Sequence, residues 1–261
     1  MNSVRAAGRL ARGLLHIVAG FWLIYVRFPQ LPPSHREAAV QVWAQRLLAL
    51  WGIRLVVLGE PPRSGPVLLV ANHISWLDIL VLHAARHCRF VSKADVKHWP
   101  VIGALATGIG TLFIERESRR DAMRVVHHMA DALRAGEVVA VFPEGTTGDG
   151  IQLLPFHANL IQAAISADAP VVPAALRFVD PLSGQISLAP SYIGDESLVG
   201  SLWRTLRAPG ITAVVNYGAP QRAEGRDRRA WARDLRESID VLRSAAVPPE
   251  APSGLKNNSK L

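Results

Sequence analysis

The sequence predicts an α/β fold: a single domain with a central mixed sheet flanked by helices, preceded by an amino-terminal two-helix membrane anchor. Three observations carry this expectation. Short apolar runs of strand length alternate with longer runs of helical periodicity, the pattern of a sheet covered by helices. At 261 residues and 49% hydrophobic content, the chain can bury one sizeable core. Its beginning differs from the rest, with a basic start followed by a nearly charge-free apolar stretch. The expected organisation is residues 1–52 as membrane-associating helices, 53–245 as the α/β domain and 246–261 as a disordered tail.

From the amino terminus, Arg5, Arg9, Arg12 and His16 recur at spacings of four, three and four, one basic stripe on a helix starting near Val4. Leu14 to Val26 is almost wholly apolar, with Phe21, Trp22 and Tyr25 suited to the headgroup boundary, until Arg27 and Pro29 end it. That run falls short of the ~20 apolar residues that span a bilayer squarely, so a dip into one leaflet is expected. A signal peptide is the rival, but no small-residue cleavage motif follows Val26. Ser34-His35-Arg36-Glu37 matches a capping box and opens a second helix carrying Val42, Trp43, Leu47, Leu50 and Trp51, stopped by Gly52.

A strand is expected near Ile53 to Leu58, then the Pro61-Pro62 break, then the buried strand Val67-Leu68-Leu69-Val70-Ala71 after Gly65-Pro66. Asn72-His73-Ile74-Ser75-Trp76-Leu77-Asp78 follows, where strand hands over to helix. Ligands gather outside the carboxyl ends of strands in open α/β sheets. His73 and Asp78 are five residues apart, one more than the spacing that stacks side chains on a helix face. With His73 in the turn and the helix starting near Ser75, Asp78 can point back at the imidazole and leave the second ring nitrogen free as a base. The alternative is a histidine satisfied by local hydrogen bonds.

Three further blocks lie downstream: Gly110-Thr111-Leu112-Phe113-Ile114-Glu115-Arg116, Phe142-Pro143-Glu144-Gly145-Thr146 and Val171-Val172-Pro173-Ala174. In order and approximate spacing the four blocks, spanning roughly Val67 to Phe178, resemble the glycerolipid acyltransferase family. The resemblance implies that His73 is the base that deprotonates an acceptor hydroxyl and that Asp78 supports it. It also implies acceptor binding by Arg116 and Glu144, with Asn72, Gly110, Phe113, Gly145 and Thr146 shaping the site. On residue type alone, Arg116 could fork onto an anionic headgroup or be solvated beside Glu115 and Glu117. Glu144 could accept from an acceptor hydroxyl or cap backbone amides. Many family members carry an arginine after the threonine of the third block, where this chain has Thr147, which puts the acceptor headgroup in question.

Direct transfer from a thioester needs a positioned base and no enzyme nucleophile. The chain agrees, having no G-x-S-x-G elbow and a single cysteine, Cys88, without a reactive context. His83 and His87 have helical i, i+4 spacing without a companion ligand motif, so no metal or cofactor is expected. His127-His128 reads as an exposed face of the amphipathic run Asp121 to Leu133, and Arg226 to Ser244 as a terminal helix with Trp231, Leu235, Ile239 and Leu242 on its stripe. His157 and Lys93 lie near the family blocks as weaker site candidates.

The net charge of +8 calls for acidic partners, and without a nucleic-acid reading module the expected one is an anionic membrane. The expected protein is a monotopic enzyme on the cytoplasmic face of the inner membrane, moving a fatty acyl group from acyl-CoA or acyl-carrier protein to a lysolipid hydroxyl. The leading acceptor is 1-acyl-glycerol-3-phosphate, giving phosphatidic acid; lyso-ornithine lipid is second. A thioester hydrolase and a non-catalytic membrane adaptor are the contrasting classes.

Overall fold

Apolar, β-branched runs become the strands of one sheet. The computed structural model describes residues 2–114 and 119–246; Arg116 and the tail expected beyond Ala246 lie outside the described residues. The strands are β1 (Ile53–Leu58), β2 (Val67–Ala71), β3 (Arg89–Lys93), β4 (Leu112–Ile114), β5 (Val138–Val141), β6 (Val171–Val179) and β7 (Ile211–Tyr217). They form a seven-stranded sheet in the order β1-β7-β6-β2-β5-β3-β4. The sheet is mixed: β6 and β7 pair antiparallel, and the other neighbours run parallel. The helices are α1 (Asn2–Trp22), α2 (Pro33–Leu50), α3 (Leu77–Ala85), α4 (Ile102–Gly108), α5 (Arg119–Arg134), α6 (Gln162–Ala167), α7 (Leu198–Arg207) and α8 (Arg228–Arg243).

Burial on both faces explains why β2 reads as an unbroken apolar run. Val67, Leu69 and Ala71 join one core with α2, α3 and α7, while Leu68 and Val70 join a second with α5, α6 and α8. This is a single α/β domain with a mixed central sheet flanked by helices. The expected stripe on α8 is in place, with Trp231, Leu235 and Ile239 fully buried.

The amino-terminal pair departs from expectation. Among the described residues one segment, Asn2–Gln30, is long and apolar enough to cross a membrane, and Leu15 and Val18 on it are 73% and 65% exposed. It runs through α1 into a π turn at Leu23–Arg27 and a 3-10 turn at Phe28–Gln30. By contrast α2 is a layer helix: Val40, Ala44, Leu47 and Leu48 are buried, and Gln41 and Gln45 donate to the Ala84 and Ala85 carbonyls at the end of α3. Its capping box does not form. Pro32 is the N-cap without a side-chain bond, and Glu37 pairs with Arg86 at 3.1 Å. Proline pre-set for the first turn has replaced serine capping.

The basic stripe is also divided. Arg5 and Arg12 face outward, but Arg9 is buried and donates to the carbonyls of Leu206, Ala208 and Pro209 at the end of α7. A cation suits that negative helix terminus. His16 stacks on Trp43 at 5.3 Å and exchanges hydrogen bonds with its backbone carbonyl and indole. Gly13 and Gly20 make this contact possible, because a Cβ at either would collide with the Trp51 or Trp43 ring.

Candidate active site

His73 leaves the carboxyl end of β2 in a turn, and α3 begins four residues later, at Leu77. Ser75 shapes the entry: its hydroxyl accepts from the Leu77 amide, and its carbonyl from the Asp78 amide. Asp78 therefore sits in the first helical turn, facing back. Its Oδ2 lies 2.8 Å from His73 Nδ1 and accepts from the amides of Ile74 at 2.6 Å and Ser75 at 2.8 Å. The carboxylate is completely buried, whereas the imidazole is 18% exposed. Such a carboxylate draws the ring proton to Nδ1, so Nε2 is left as the acceptor. The ring lies flat on Phe142, with centroids 4.0 Å apart and an interplanar angle of 5°. Two side chains thus hold the imidazole, one by charge and one by shape.

The backbone around His73 is fixed by the third block. Glu144 Oε1 accepts from the His73 amide at 2.7 Å, and Oε2 accepts from the Leu154 amide at 2.8 Å. The Gly148 amide donates to the His73 carbonyl, and the Tyr192 amide to that of Ile74. Glu144 is 5% exposed. Burial pushes its carboxyl above the usual range, while the His73 and Leu154 amides pull it back down. Each oxygen accepts from one backbone amide, so Glu144 braces the turn, the amide-capping reading that its residue type allowed. Gly145 supplies the left-handed corner, φ +71°, that returns the chain. Thr146 is exposed beside it, and the Thr147 hydroxyl donates to the Tyr192 carbonyl.

Asn72 ties β2 to its neighbour β6. It is 1% exposed, donates to the Leu176 carbonyl and accepts from the Leu176 amide, so it extends the β2–β6 ladder behind the site. Gly110 and Phe113 belong to β4 and the turn before it, separated from β2 by β5 and β3. Gly110 takes φ +83° with its carbonyl accepting from Arg89 Nε, a structural corner away from His73. Cys88 is buried, and burial pushes its thiol up, away from nucleophilic use. His157 and Lys93 are both exposed.

Sequence reasoning did not single out the supports. Phe142 forms the floor under His73. Arg236 donates to the Leu153 and Leu154 carbonyls, and Arg243 to those of Gly150 and Ile151, so α8 grips the loop that delivers the Leu154 amide to Glu144. The i, i+7 spacing of these arginines places them on one helix face, but nothing local tells what lies opposite.

The Acyltransferase family model matches residues 54–177. The chain is 39% identical over 213 residues to a 1-acyl-sn-glycerol-3-phosphate acyltransferase of Neisseria gonorrhoeae, covering 80% of this chain and 82% of that one. It is 35% identical over 250 residues to a lyso-ornithine lipid O-acyltransferase of Pseudomonas aeruginosa, covering 95% of each. The crystal structure of the 1-acyl-sn-glycerophosphate (LPA) acyltransferase PlsC from Thermotoga maritima shares the fold. Its TM-score is 0.60 at 16% identity, over 92% of this chain and 100% of that one.

Proposed function

We propose, from the premise that this chain belongs to the Acyltransferase family, that it moves a fatty acyl group from an acyl-CoA or acyl-carrier-protein thioester to 1-acyl-sn-glycerol-3-phosphate. The observation that carries the mechanism is the His73–Asp78 pair, with Nδ1 held at 2.8 Å and Nε2 left to the open side. Nε2 takes the proton from the acceptor hydroxyl as its oxygen attacks the thioester carbonyl. The tetrahedral intermediate collapses, the C–S bond breaks, and the departing thiolate recovers the proton from the imidazolium. Buried Asp78 stabilises that cation, and a positioned base is worth about 10² to 10⁴ in rate. No acyl-enzyme is needed. Cys88 is buried, and the Ser75 hydroxyl is enclosed against the Leu77 amide.

A second acceptor has its own support. Thr147 stands where many family members carry an arginine, and its hydroxyl is engaged with Tyr192, which favours lyso-ornithine lipid. Assaying the protein in lipid against both lysolipids, with both donors, decides between them. With lysophosphatidic acid as substrate, Arg116→Lys lowers kcat/KM at least about tenfold by losing a charge-assisted fork, and leaves monoacylglycerol little changed. Activity on lyso-ornithine lipid alone overturns the leading acceptor, and hydrolysis without transfer overturns both.

The apolar, exposed face of α1 supports membrane attachment, which we assign to the cytoplasmic face of the inner membrane, with Arg5 and Arg12 meeting anionic headgroups. Leu15→Asp with Val18→Asp should then lower sedimentation with anionic liposomes. Unchanged sedimentation rules out α1 as the attachment.

A further inference from the structure

The chain leaves β3 at the end of the sheet where β2 delivers His73, since β2, β5 and β3 run parallel. It passes through a 3-10 turn, Ala94–His98, and reaches α4 by way of Trp99-Pro100-Val101-Ile102. Val101 takes φ +66° and ψ −58°, and the Ile102 amide donates to the Pro100 carbonyl at 2.7 Å. This is a γ-turn of the rare, strained hand, and a β-branched residue is among those least suited to it. Gly103 fixes the loop from behind, where a Cβ would come within 2.1 Å of the Lys97 carbonyl oxygen. The strain gains little burial in return, because Trp99, Val101 and Ile102 stay 38%, 45% and 37% exposed. A backbone outlier that holds apolar side chains in water calls for a partner that covers them.

Two observations favour a lipid surface as that partner. The first is continuity with the amino-terminal segment. α4 is seven residues, about 10 Å of helix, and its far end packs on that segment. A Cβ at Gly108 would lie 2.4 Å from Ile24 Cγ2, and Leu105 and Ile109 line one small apolar cavity together with Leu23 and Ile24. Trp22, Tyr25 and Val26, on either side of Leu23 and Ile24, are exposed. The second is charge. Lys93, Lys97 and His98 stand exposed at the base of the loop, against the one carboxylate of Asp95 between positions 93 and 102. An indole and aliphatic tip backed by cations matches the headgroup boundary, where rings enter the apolar edge and ammonium groups meet phosphates.

We propose that Trp99, Val101 and Ile102 enter the lipid surface as a second contact beside α1, setting the His73 end of the sheet against the bilayer. It rests on the reading of α1 as the membrane attachment. The test measures binding of the full chain to vesicles of phosphatidylethanolamine and phosphatidylglycerol. Val101→Gly and Ile102→Asp are each made in the unsubstituted protein and in Leu15→Asp/Val18→Asp. Glycine accepts the φ of position 101 and aspartate suits a helix start, so both variants should fold. Val101→Gly should melt no lower than the unsubstituted protein in detergent and still bind vesicles several-fold more weakly. Ile102→Asp should weaken binding about tenfold, the scale of one aliphatic side chain kept out of the apolar layer. Transfer to a vesicle-borne acceptor should fall with binding, and transfer to a short-chain acceptor dissolved as monomer should not. Vesicles with brominated acyl chains should quench less of the indole emission in Trp99→Phe than in the unsubstituted protein. Unchanged vesicle binding, equal quenching, or equal loss on the two acceptors overturns the proposal. So does self-association in detergent that both variants abolish, which would give the patch to a second copy of the chain. If Leu15→Asp/Val18→Asp alone binds as well as the unsubstituted protein, the α1 reading fails, and the loop variants still decide whether the loop docks.

Discussion

The two ends of α3 handle histidine in opposite ways. At its start, His73 has a buried carboxylate on one nitrogen and an open side for the other. At its end, His83 and His87 stack at 5.1 Å, and among the described residues neither nitrogen of His83 has a hydrogen-bond partner. Burial, reinforced by His87, holds His83 well below the usual histidine range, and burial brings His87 to about 4 although Glu37 pulls the other way. A seam of rings connects the two ends: His73 on Phe142, Phe142 on Phe90, Phe90 edge-on to His83. Partner and exposure, more than residue type or neighbourhood, separate a base from filler. Spacing of five across a helix start lets a carboxylate face the ring, whereas His83 in the last turn of α3 and His87 just past its end stack their rings in a buried layer.

The hardest test of that contrast is removal of the base. His73→Ala should cut acyl transfer by about 10² to 10⁴ with the fold and membrane attachment intact. Asp78→Asn should also fail, since an amide fills the space but no longer balances an imidazolium and favours the other tautomer. Turnover close to that of the unsubstituted enzyme, in either folded variant, would end the assignment.

A smaller loss should follow from Glu144→Gln. The amide keeps one acceptor but turns an NH2 group toward a backbone donor, leaving the His73 or Leu154 amide unmatched in a buried place. The cost is about 1–3 kcal/mol, read as a lower melting temperature and a kcat reduced by one to two decades at most. A variant with unchanged melting temperature and a raised KM for the acceptor would instead return Glu144 to substrate binding.

What could be read in advance divides along the same line. The His73–Asp78 contact was legible because an apolar strand, a turn and a helix start are local signals, and together they aim both side chains. The bracing role of Glu144 was not, because its partners are two backbone amides brought together only by the folded sheet. Nor did Asn72 announce that it ties β2 to Leu176. The anchor was half legible: Trp43 and Trp51 form an apolar stripe that a membrane or a neighbouring helix would equally accept, and α1 takes it through Gly13 and Gly20. Periodicity correctly put Arg5, Arg9, Arg12 and His16 on related turns. It could not say that the end of α7 would claim Arg9, or Trp43 claim His16.

The mildest expected effect concerns the other end of α3. His83 and His87 stay neutral in the folded protein, while in the unfolded chain they take up protons near pH 6.5. Below that pH the unfolded state binds more protons, so stability falls as pH drops from about 6.5 toward 4, by up to roughly 1.4 kcal/mol per pH unit for each histidine. Above 6.5 neither contributes. His83→Phe preserves a ring against Phe90, removes two unsatisfied nitrogens and eliminates one of the two titrations. Denaturant melts at pH 8 and pH 5 should therefore show a smaller acid penalty for the variant than for the unsubstituted protein, with acyl transfer at pH 8 retained. An unchanged acid slope would mean that His83 charges in place. Loss of transfer with the fold intact would mean that the seam of rings carries something from His83 to His73, and the two ends of α3 would no longer be separable.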